Sequence, residues 1–500
     1  LIWTTTPWTL PANQAIAVHP DFEYAVVEYK NELLILAKSL VEQTFAKKEE
    51  TNYKILKTIS GSKLCGIKYS HPFMERVSPV VFANYVTAED GAGCVHIAPG
   101  HGEEDYKVGL EHGLEVFAPV NSKGEFTEDV PLFKGEKVYK ANQMIVEKLD
   151  ELGVLFHKEN ISHSYPHCWR CKKPLIFRAT EQWFINVDKY NLRENVLKSI
   201  DSVRWIPAWG QGRITGMVSG RPNWCISRQR SWGVPIPVVY CEKCDTPLLD
   251  ILFIDHVIGL VKENGADIWF TKKVDDLVPN SFSCKCGHHK FRKENDILDV
   301  WFDSGVSHTS VLKQREYLDF PADLYLEGSD QHRGWFQSSI FTSVGAYNQA
   351  PYKAVLTHGF IVDGQGKKMS KSVGNVVKPQ DVIKKSGADI IRLWVASSDY
   401  TEDVRASDAI LSHIIDSYRK LRNTCRFILG NISDFSINKD KVCYKDLLEI
   451  DKWALARLHR LIDSVSKYYE DFQFHKVYSE ISNFCVVDMS SFYLDILKDR

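Results

Sequence analysis

The sequence predicts a multidomain α/β protein on three observations. Its 500 residues exceed what one hydrophobic core organises, so three or four domains are expected. The residue pattern changes along the chain, from β-branched runs to cysteine pairs, then to alternating strand-like and helix-like segments, then to apolar residues at helical spacing. Hydrophobic content of 44% with 25% charged residues matches ordinary globular proteins, which excludes disorder, collagen and coiled coil as overall classes.

Residues 1–158 hold runs such as Tyr24-Ala25-Val26-Val27 and Glu32-Leu33-Leu34-Ile35-Leu36 broken by turn residues, and predict a β-rich domain with a few helices. In residues 159–300, prolines at 207, 222, 235 and 237 prevent long helices, so loops, short strands and a cysteine knuckle are expected. In residues 301–400, Leu324-Tyr325-Leu326 and Ala354-Val355-Leu356 alternate with the helical stretches 334–347 and 380–386, the pattern of a parallel α/β sheet. Residues 401–500 repeat apolar side chains at helical spacing, as in Ala409, Ile410, Ile414, Tyr418 and Leu421 and again in Trp453, Leu455, Leu458 and Ile462, and predict a helical bundle.

A net charge of −2 supplies no global basic field, so any nucleic-acid contact must come from local clusters such as Arg221, Arg228 and Arg230 or Arg419, Lys420, Arg422 and Arg426. No run of eighteen apolar residues and no basic, then apolar, leader is present, which predicts a cytoplasmic protein without a membrane partner. The chain opens at Leu1 inside a strand-like run and closes inside a helical pattern, so it reads as a fragment.

Twelve cysteines are too few for a disulfide scaffold in a chain of this length, yet six fall in close pairs, as metal ligands do in a reducing compartment. Cys241-x-x-Cys244 and Cys284-x-Cys286 offer four thiolates from two knuckles, the donor set of a closed tetrahedral Zn2+ site. Cys168-x-x-Cys171 is a second half-site with no matching pair elsewhere in the chain.

The loop Gly364-Gln365-Gly366-Lys367-Lys368-Met369-Ser370-Lys371-Ser372 is glycine-rich, then basic and hydroxylated, so its backbone and ammonium groups could close over a phosphate chain. It lacks the glycine spacing of a Walker loop. Its last five residues, Lys368 to Ser372, are identical to the signature loop of class I aminoacyl-tRNA synthetases. Asp299-Val300-Trp301-Phe302-Asp303-Ser304-Gly305 and Glu327-Gly328-Ser329-Asp330-Gln331-His332-Arg333-Gly334-Trp335-Phe336 resemble, in order, stretches of the branched-aliphatic subgroup. His163 to Cys171, Phe177 to Phe184 and Arg419 to Phe427 resemble the isoleucyl rather than the valyl branch, and the resemblance covers essentially the whole chain.

That resemblance implies an editing domain over residues 1–158, the second half of a Rossmann-like class I catalytic core, a zinc knuckle and an all-α anticodon-binding bundle. It implies ATP (with Mg2+), isoleucine and the tRNA for isoleucine as substrates of a monomeric ligase. Glu327, Asp330 and Gln331 would hold the aminoacyl-adenylate, Trp335 would shape the amino-acid pocket, His358 would lie near the nucleotide, and Lys368 and Lys371 would stabilise charge on the pyrophosphate. The family's His-x-Gly-His signature does not occur in this sequence, so adenylate formation is not expected of the chain as given. A valyl synthetase, or a free-standing editing hydrolase or RNA-binding module, is the alternative.

The first domain also resembles the family's editing pocket, through Trp3-Thr4-Thr5-Thr6-Pro7-Trp8-Thr9-Leu10-Pro11-Ala12-Asn13 and Gly93-Cys94-Val95-His96-Ile97-Ala98-Pro99-Gly100-His101-Gly102-Glu103-Glu104-Asp105. A missing methylene in an apolar pocket is worth only about 1–3 kcal/mol, the limit that isoleucyl synthetases facing valine exemplify, so a second, hydrolytic site is needed. No serine or cysteine nucleophile with a base and an orienting group is evident there, and Cys94 beside His96 only shares a strand face with it. Water attack is therefore expected. Asp105 would grip the substrate ammonium, while Thr4, Thr5, Thr6 and Thr9 with Asn13 and His96 would position the ester.

Overall fold

The structure is a computed structural model and describes all residues except 90, 280, 371, 372 and 500. The chain divides into two compact units, Leu1–Glu181 and Gln182–Arg500.

The described residues of the first unit form seven strands: β1 (Ala15–Val18), β2 (Glu23–Tyr29), β3 (Glu32–Ala37), β4 (Lys54–Ser60), β5 (Lys68–Ser70), β6 (Val77–Phe82) and β7 (Cys94–Ile97). They form a four-stranded sheet of order β5-β6-β1-β7 and a three-stranded sheet of order β3-β2-β4. The β2–β3 hairpin turns on Lys30 and Asn31, both at positive φ (48° and 64°), the two-residue turn whose twist suits adjoining strands. β1 runs parallel to β6 and antiparallel to β7, which sets Ile16 opposite His96 and Ala15 opposite Ile97. Helices α1 (Val41–Ala46) and α2 (Glu103–Glu111) pack with these sheets, and α3 (Val138–Glu151) packs against Trp8 and Leu10.

Tyr24, Phe45, Phe126 and Ile145 are fully buried in this unit. The Tyr24 hydroxyl donates to the Gly93 carbonyl (2.8 Å) and accepts from the His19 amide (2.9 Å), which ties the turn before β7 to β2. Gly93 sits at φ +65°, and a Cβ there would come within 2.4 Å of the Ala37 Cβ, so only glycine fits the turn into β7.

The unit runs on past residue 158. Tyr139 donates to the Leu175 carbonyl (3.0 Å), Arg178 to the Val120 carbonyl (3.2 Å) and the Ala179 amide to the Gly100 carbonyl (2.8 Å). The backbone of residues 175–179 thus belongs with the first unit, a tie that its cysteine and aromatic composition did not announce.

The second unit is organised by a wholly parallel sheet. Its strands are β8 (Arg204–Ile206), β12 (Ala322–Gly328) and β13 (Tyr352–His358), with β13 in the middle. A small antiparallel sheet of β9 (Val239–Cys241), β10 (Pro247–Leu248) and β11 (Phe291–Lys293) lies between β8 and β12 in the chain. Helices α4 (Leu192–Asp201), α5 (Trp209–Ser219) and α6 (Ile251–Asn264) precede the return of the parallel sheet, and α7 (Trp335–Tyr347) joins β12 to β13. Such a β-helix-β crossover is what parallel pairing requires.

Val196, Ile200, Ile214, Val218, Phe336, Ile340, Phe341 and Val355 form one core around the sheet. Eight residues of α7 are buried, four of them the polar Gln337, Ser338, Ser339 and Ser343. A helix buried on most of its surface needs no strong amphipathic stripe, which is why its sequence reads as unpatterned.

The last part of the unit is helical, with α8 (Ala388–Ser397), α9 (Asp408–Asn431), α10 (Glu449–Glu470) and α11 (Phe474–Asn483). Leu411 and Ile414 of α9 are buried with Ile390 and Trp394 of α8. On α10, by contrast, Leu455, Leu458 and Ile462 remain exposed. No described helix is long and apolar enough to cross a membrane.

Phe341 is 2% exposed between α7 and its neighbours. Phe341→Ala is expected to destabilise the second unit by about 3–5 kcal/mol through lost transfer energy and the cavity left behind, measured as a shift of the urea midpoint.

Candidate functional site

The threonine-rich turn of the first unit is built on a 3-10 helix, Pro7–Ala12, opened by Pro7 and Trp8. Thr4, Thr5 and Asn13 line a cavity of about 920 Å³ together with Leu10, Tyr69, His71 and Asn142. The Thr4 hydroxyl accepts from the Thr6 amide (3.1 Å), so these two neighbours are coupled. Thr9 turns inward towards His96 on β7, and Asn13 reaches both the cavity and His96.

His96 is buried, and both ring nitrogens are engaged. Asn13 Nδ2 lies 2.9 Å from His96 Nδ1, and Thr9 Oγ1 lies 2.9 Å from His96 Nε2. The Thr9 hydroxyl gives its proton to the Thr6 carbonyl (2.9 Å), so Nε2 must carry the proton it shares with Thr9. Burial pushes His96 down to about 3, with His71 and His101 nearby adding to the effect. A neutral ring with no spare nitrogen does not serve as a general base; it holds the Thr9 hydroxyl in place.

Asp105 stands in the first turn of α2, where the helix dipole favours a carboxylate. Its Oδ2 accepts from the Ala98 amide (2.9 Å) and its Oδ1 from the Tyr85 hydroxyl (3.2 Å). Burial raises its pKa, partly offset by those two donors. Each oxygen keeps a further lone pair. Glu103 and Glu104 are exposed on the same turn, with Glu103 paired to Lys107 at 2.9 Å. His101 is buried edge-on to Trp8, ring centroids 4.8 Å apart, and shares its Nδ1 with the Phe177 carbonyl (2.9 Å).

In the second unit the parallel register places Glu327 beside Thr357 and Gly328 beside His358, at the carboxyl ends of β12 and β13. Open parallel sheets bind ligands at such strand ends. A Cβ on Gly328 would sit 2.9 Å from Asp330 Oδ1 and 3.6 Å from His358 Cε1, so glycine keeps the backbone open between these two side chains. Glu327 and Asp330 are exposed, and His358 is half-buried with its Nδ1 on the Gly359 carbonyl (2.8 Å).

Gln331 has a structural task as well. Its Oε1 accepts from the Trp335 amide (2.9 Å) at the start of α7. Trp335 stacks on Tyr325 with centroids 4.1 Å apart and planes 11° apart, and its Nε1 donates to the Ser304 carbonyl (2.9 Å). Asp299, named above only as part of a resembling stretch and with no role, has a buried carboxylate that accepts from Trp224 Nε1 (3.1 Å), Arg228 (2.8 Å) and the Trp301 amide (3.2 Å). Its place just before a helix is the signal that could have found it.

The basic loop begins at Asp363, whose Oδ1 accepts from the Gln365 and Lys367 amides (2.9 and 2.8 Å). Asn375 closes it: Nδ2 donates to Asp363 Oδ2 (2.9 Å) and to the Lys368 carbonyl (3.3 Å), and Oδ1 accepts from the Ser370 amide (2.9 Å). Lys368 is exposed; Lys371 lies outside the described residues.

Cys241, Cys244, Cys284 and Cys286 converge, with all four sulfurs within 4.8 Å of one another. Cys241 and Cys286 are 3.6 Å apart and Cys244 and Cys284 are 3.4 Å apart. Tetrahedral zinc with bonds of about 2.3 Å spaces sulfurs roughly 3.8 Å apart, so the quartet fits that ion. Gly287, at φ +78°, lets the second knuckle turn back. Cys168 and Cys171 sit on a separate knuckle closed by the Lys172 amide on the Cys168 carbonyl (2.8 Å), and the four-cysteine group is the only metal-type cluster among the described residues.

With these sites in place, comparison with known proteins is decisive. The family model described as tRNA synthetases class I (I, L, M and V) matches residues 7–407, and that of the anticodon-binding domain of tRNA ligase matches residues 451–500. The chain belongs to the class I tRNA synthetases. Within that family it is 57% identical to a Petrotoga mobilis protein named isoleucine--tRNA ligase, covering all of this chain and 55% of that protein. Like-named proteins of Syntrophotalea carbinolica and Persephonella marina are 56% and 54% identical, again over all of this chain and 54% of theirs. The chain therefore spans about half the length of these curated relatives. Among solved structures, a Mycobacterium tuberculosis methionyl-tRNA synthetase in complex with methionyl-adenylate aligns over 66% of this chain and 56% of that one at 19% identity, with a TM-score of 0.45.

Two expectations follow for this synthetase chain. Since His96 has its pKa lowered from 6.5 to about 3, the unfolded state binds more protons than the folded state between those values. Stability of the first unit is thus full above pH 6.5 and falls as pH drops towards 3, by on the order of a few kcal/mol, a dependence that His96→Gln should flatten in urea titrations at several pH values. Elemental analysis should find one tightly held zinc per chain, lost in Cys241→Ser, and a strong chelator should lower the melting temperature of the second unit.

Proposed function

We propose that this chain is a central part of an isoleucine-tRNA ligase. Its second unit would contribute the strand ends and basic loop that handle ATP and isoleucyl-adenylate, and its first unit would hydrolyse valine wrongly joined to the tRNA for isoleucine. The amino-acid specificity rests on one observation: the curated relatives at 54–57% identity along the whole chain carry the isoleucine name. Nothing comparable favours the valyl alternative.

In the second unit, Glu327, Asp330 and His358 supply polar groups at adjoining strand ends, and the Trp335–Tyr325 stack gives a rigid apolar wall. Lys368, with Lys371 by resemblance, provides positive charge for the pyrophosphate of ATP, which is used with Mg2+. The four-cysteine site would hold a structural zinc, since four thiolates leave no position open for a substrate. Helices α9 to α11 would contact tRNA.

In the first unit, water attacks the ester carbonyl, the bond to the ribose oxygen breaks, and valine and tRNA leave. Asp105 retains lone pairs for the substrate ammonium while Ala98 and Tyr85 hold its carboxylate still. Thr4 and Thr5 face the cavity, and Thr9, Asn13 and His96 brace the turn behind them. The buried, braced turn beside a cavity is the observation that carries this hydrolytic reading.

The test is deacylation of valyl-tRNA for isoleucine by this 500-residue chain, with the isoleucyl ester spared. Asp105→Ala should lower the rate a few hundredfold, as loss of one preorganised charge contact costs about 3–4 kcal/mol. Thr5→Ala and His96→Ala should cost less, because neighbouring donors compensate. A folded Asp105→Ala chain, checked by circular dichroism, that keeps full activity would remove Asp105 from the site.

A further inference from the structure

Segment 69–76 lies far in sequence from the threonine-rich turn but grips it at three points. Arg76 Nη1 donates to the Asn13 carbonyl (2.7 Å), His71 Nε2 bonds the Leu10 carbonyl (2.9 Å), and the Tyr69 hydroxyl donates to Asn13 Oδ1. The last contact has a direction. With Oδ1 committed to Tyr69, the Asn13 amide turns Nδ2 towards the Ala15 carbonyl and His96 Nδ1, both 2.9 Å away. His96 Nδ1 is then an acceptor, Nε2 keeps the proton and donates to Thr9, and Thr9 donates onward to the Thr6 carbonyl. Five groups from three segments share one sense of donation, and reversing any one member reverses its neighbours.

We propose that Tyr69 is a positioning residue of the first unit's pocket: together with the Ala15 carbonyl it holds the sense of the Asn13 amide, which keeps the His96 proton on Nε2, facing the Thr9 hydroxyl that donates to the Thr6 carbonyl. Tyr69 and Asn13 both line the 920 Å³ cavity, so an occupant of the cavity reaches the buried imidazole through this pair. His96 and Thr9 are buried and lie behind the cavity wall, so water does not substitute for a missing partner of the imidazole. Burial raises Tyr69 to about 12, which keeps the phenol protonated and therefore a donor. Its catalytic consequence rests on the reading of the first unit as an ester hydrolase; the tautomer does not.

The whole chain, labelled with 15N in its histidines, separates the two. The His96 signals are identified by their loss in His96→Gln. In the wild type, Nε2 should resonate as a protonated ring nitrogen and Nδ1 as a bare one. Tyr69→Phe removes only the hydroxyl and should draw the two resonances towards each other as the amide keeps only the Ala15 carbonyl to hold its sense, with kcat for the valyl ester falling roughly threefold to tenfold and KM little changed. Asn13→Asp, near-identical in volume, replaces the donor at His96 Nδ1 by an acceptor and should move the proton to Nδ1. Unshifted His96 resonances in Tyr69→Phe would overturn the proposal, since a merely structural contact leaves the tautomer alone. Shifted resonances with no ester hydrolysis by the wild type would sustain the role of Tyr69 in setting the tautomer and remove the hydrolytic reading.

Discussion

Parallel pairing of β12 with β13 decides where the rest of the second unit can stand. Parallel strands cannot be joined by a tight turn, so the chain must cross over, and α7 fills that crossover with a helix buried on most of its surface. The same pairing brings two distant stretches of sequence to one edge, Glu327 and Gly328 from one strand and His358 from the other. Had the register slipped by one residue, every side chain of β13 would have changed face and His358 would have left Gly328. The site is a by-product of the pairing, completed by glycine where a side chain would have blocked it.

The first unit reaches its arrangement by a different route. Its pocket wall is a six-residue 3-10 helix, too short to hold itself in place. Rigidity comes from outside, from side chains of the segment at residues 69–76 and from the imidazole on β7. Polar groups buried this way are costly when unpaired and specific when paired, so a fully connected network both anchors the turn and leaves it one conformation.

Much of this was legible because the chemistry was local. The cysteine quartet could be read from spacing, and its sulfurs do converge. The strand-helix-strand alternation around residues 322–358 was visible in the strand-like runs Leu324-Tyr325-Leu326 and Ala354-Val355-Leu356 on either side of a helix-length stretch. The threonine turn and the loop from Lys368 stood out by composition. What escaped notice depends on contacts distant in sequence. Tyr69 meets Asn13 across 56 positions and Tyr85 meets Asp105 across 20, and neither tyrosine differs in sequence from one that merely packs. The extent of the first unit to Glu181 was hidden for the same reason, since backbone hydrogen bonds from residues 175–179 leave no mark in composition. His96 was expected to face the ester, whereas its two nitrogens are spent on Asn13 and Thr9.

The loop that follows Asp363 is surface-exposed and glycine-rich, the kind of segment in which insertions are ordinarily absorbed. Here one carboxamide spans it. Asn375 reaches Asp363 at its beginning, and the Lys368 carbonyl and the Ser370 amide within it, so the number of residues between those points is fixed by the reach of a single side chain. Replacing residues inside the loop alters its charge and leaves the enclosure intact. Adding or removing even one between Asp363 and Ser370 moves these partners out of step with the carboxamide. The loop is thus free in composition and rigid in length, the reverse of what its exposure suggests.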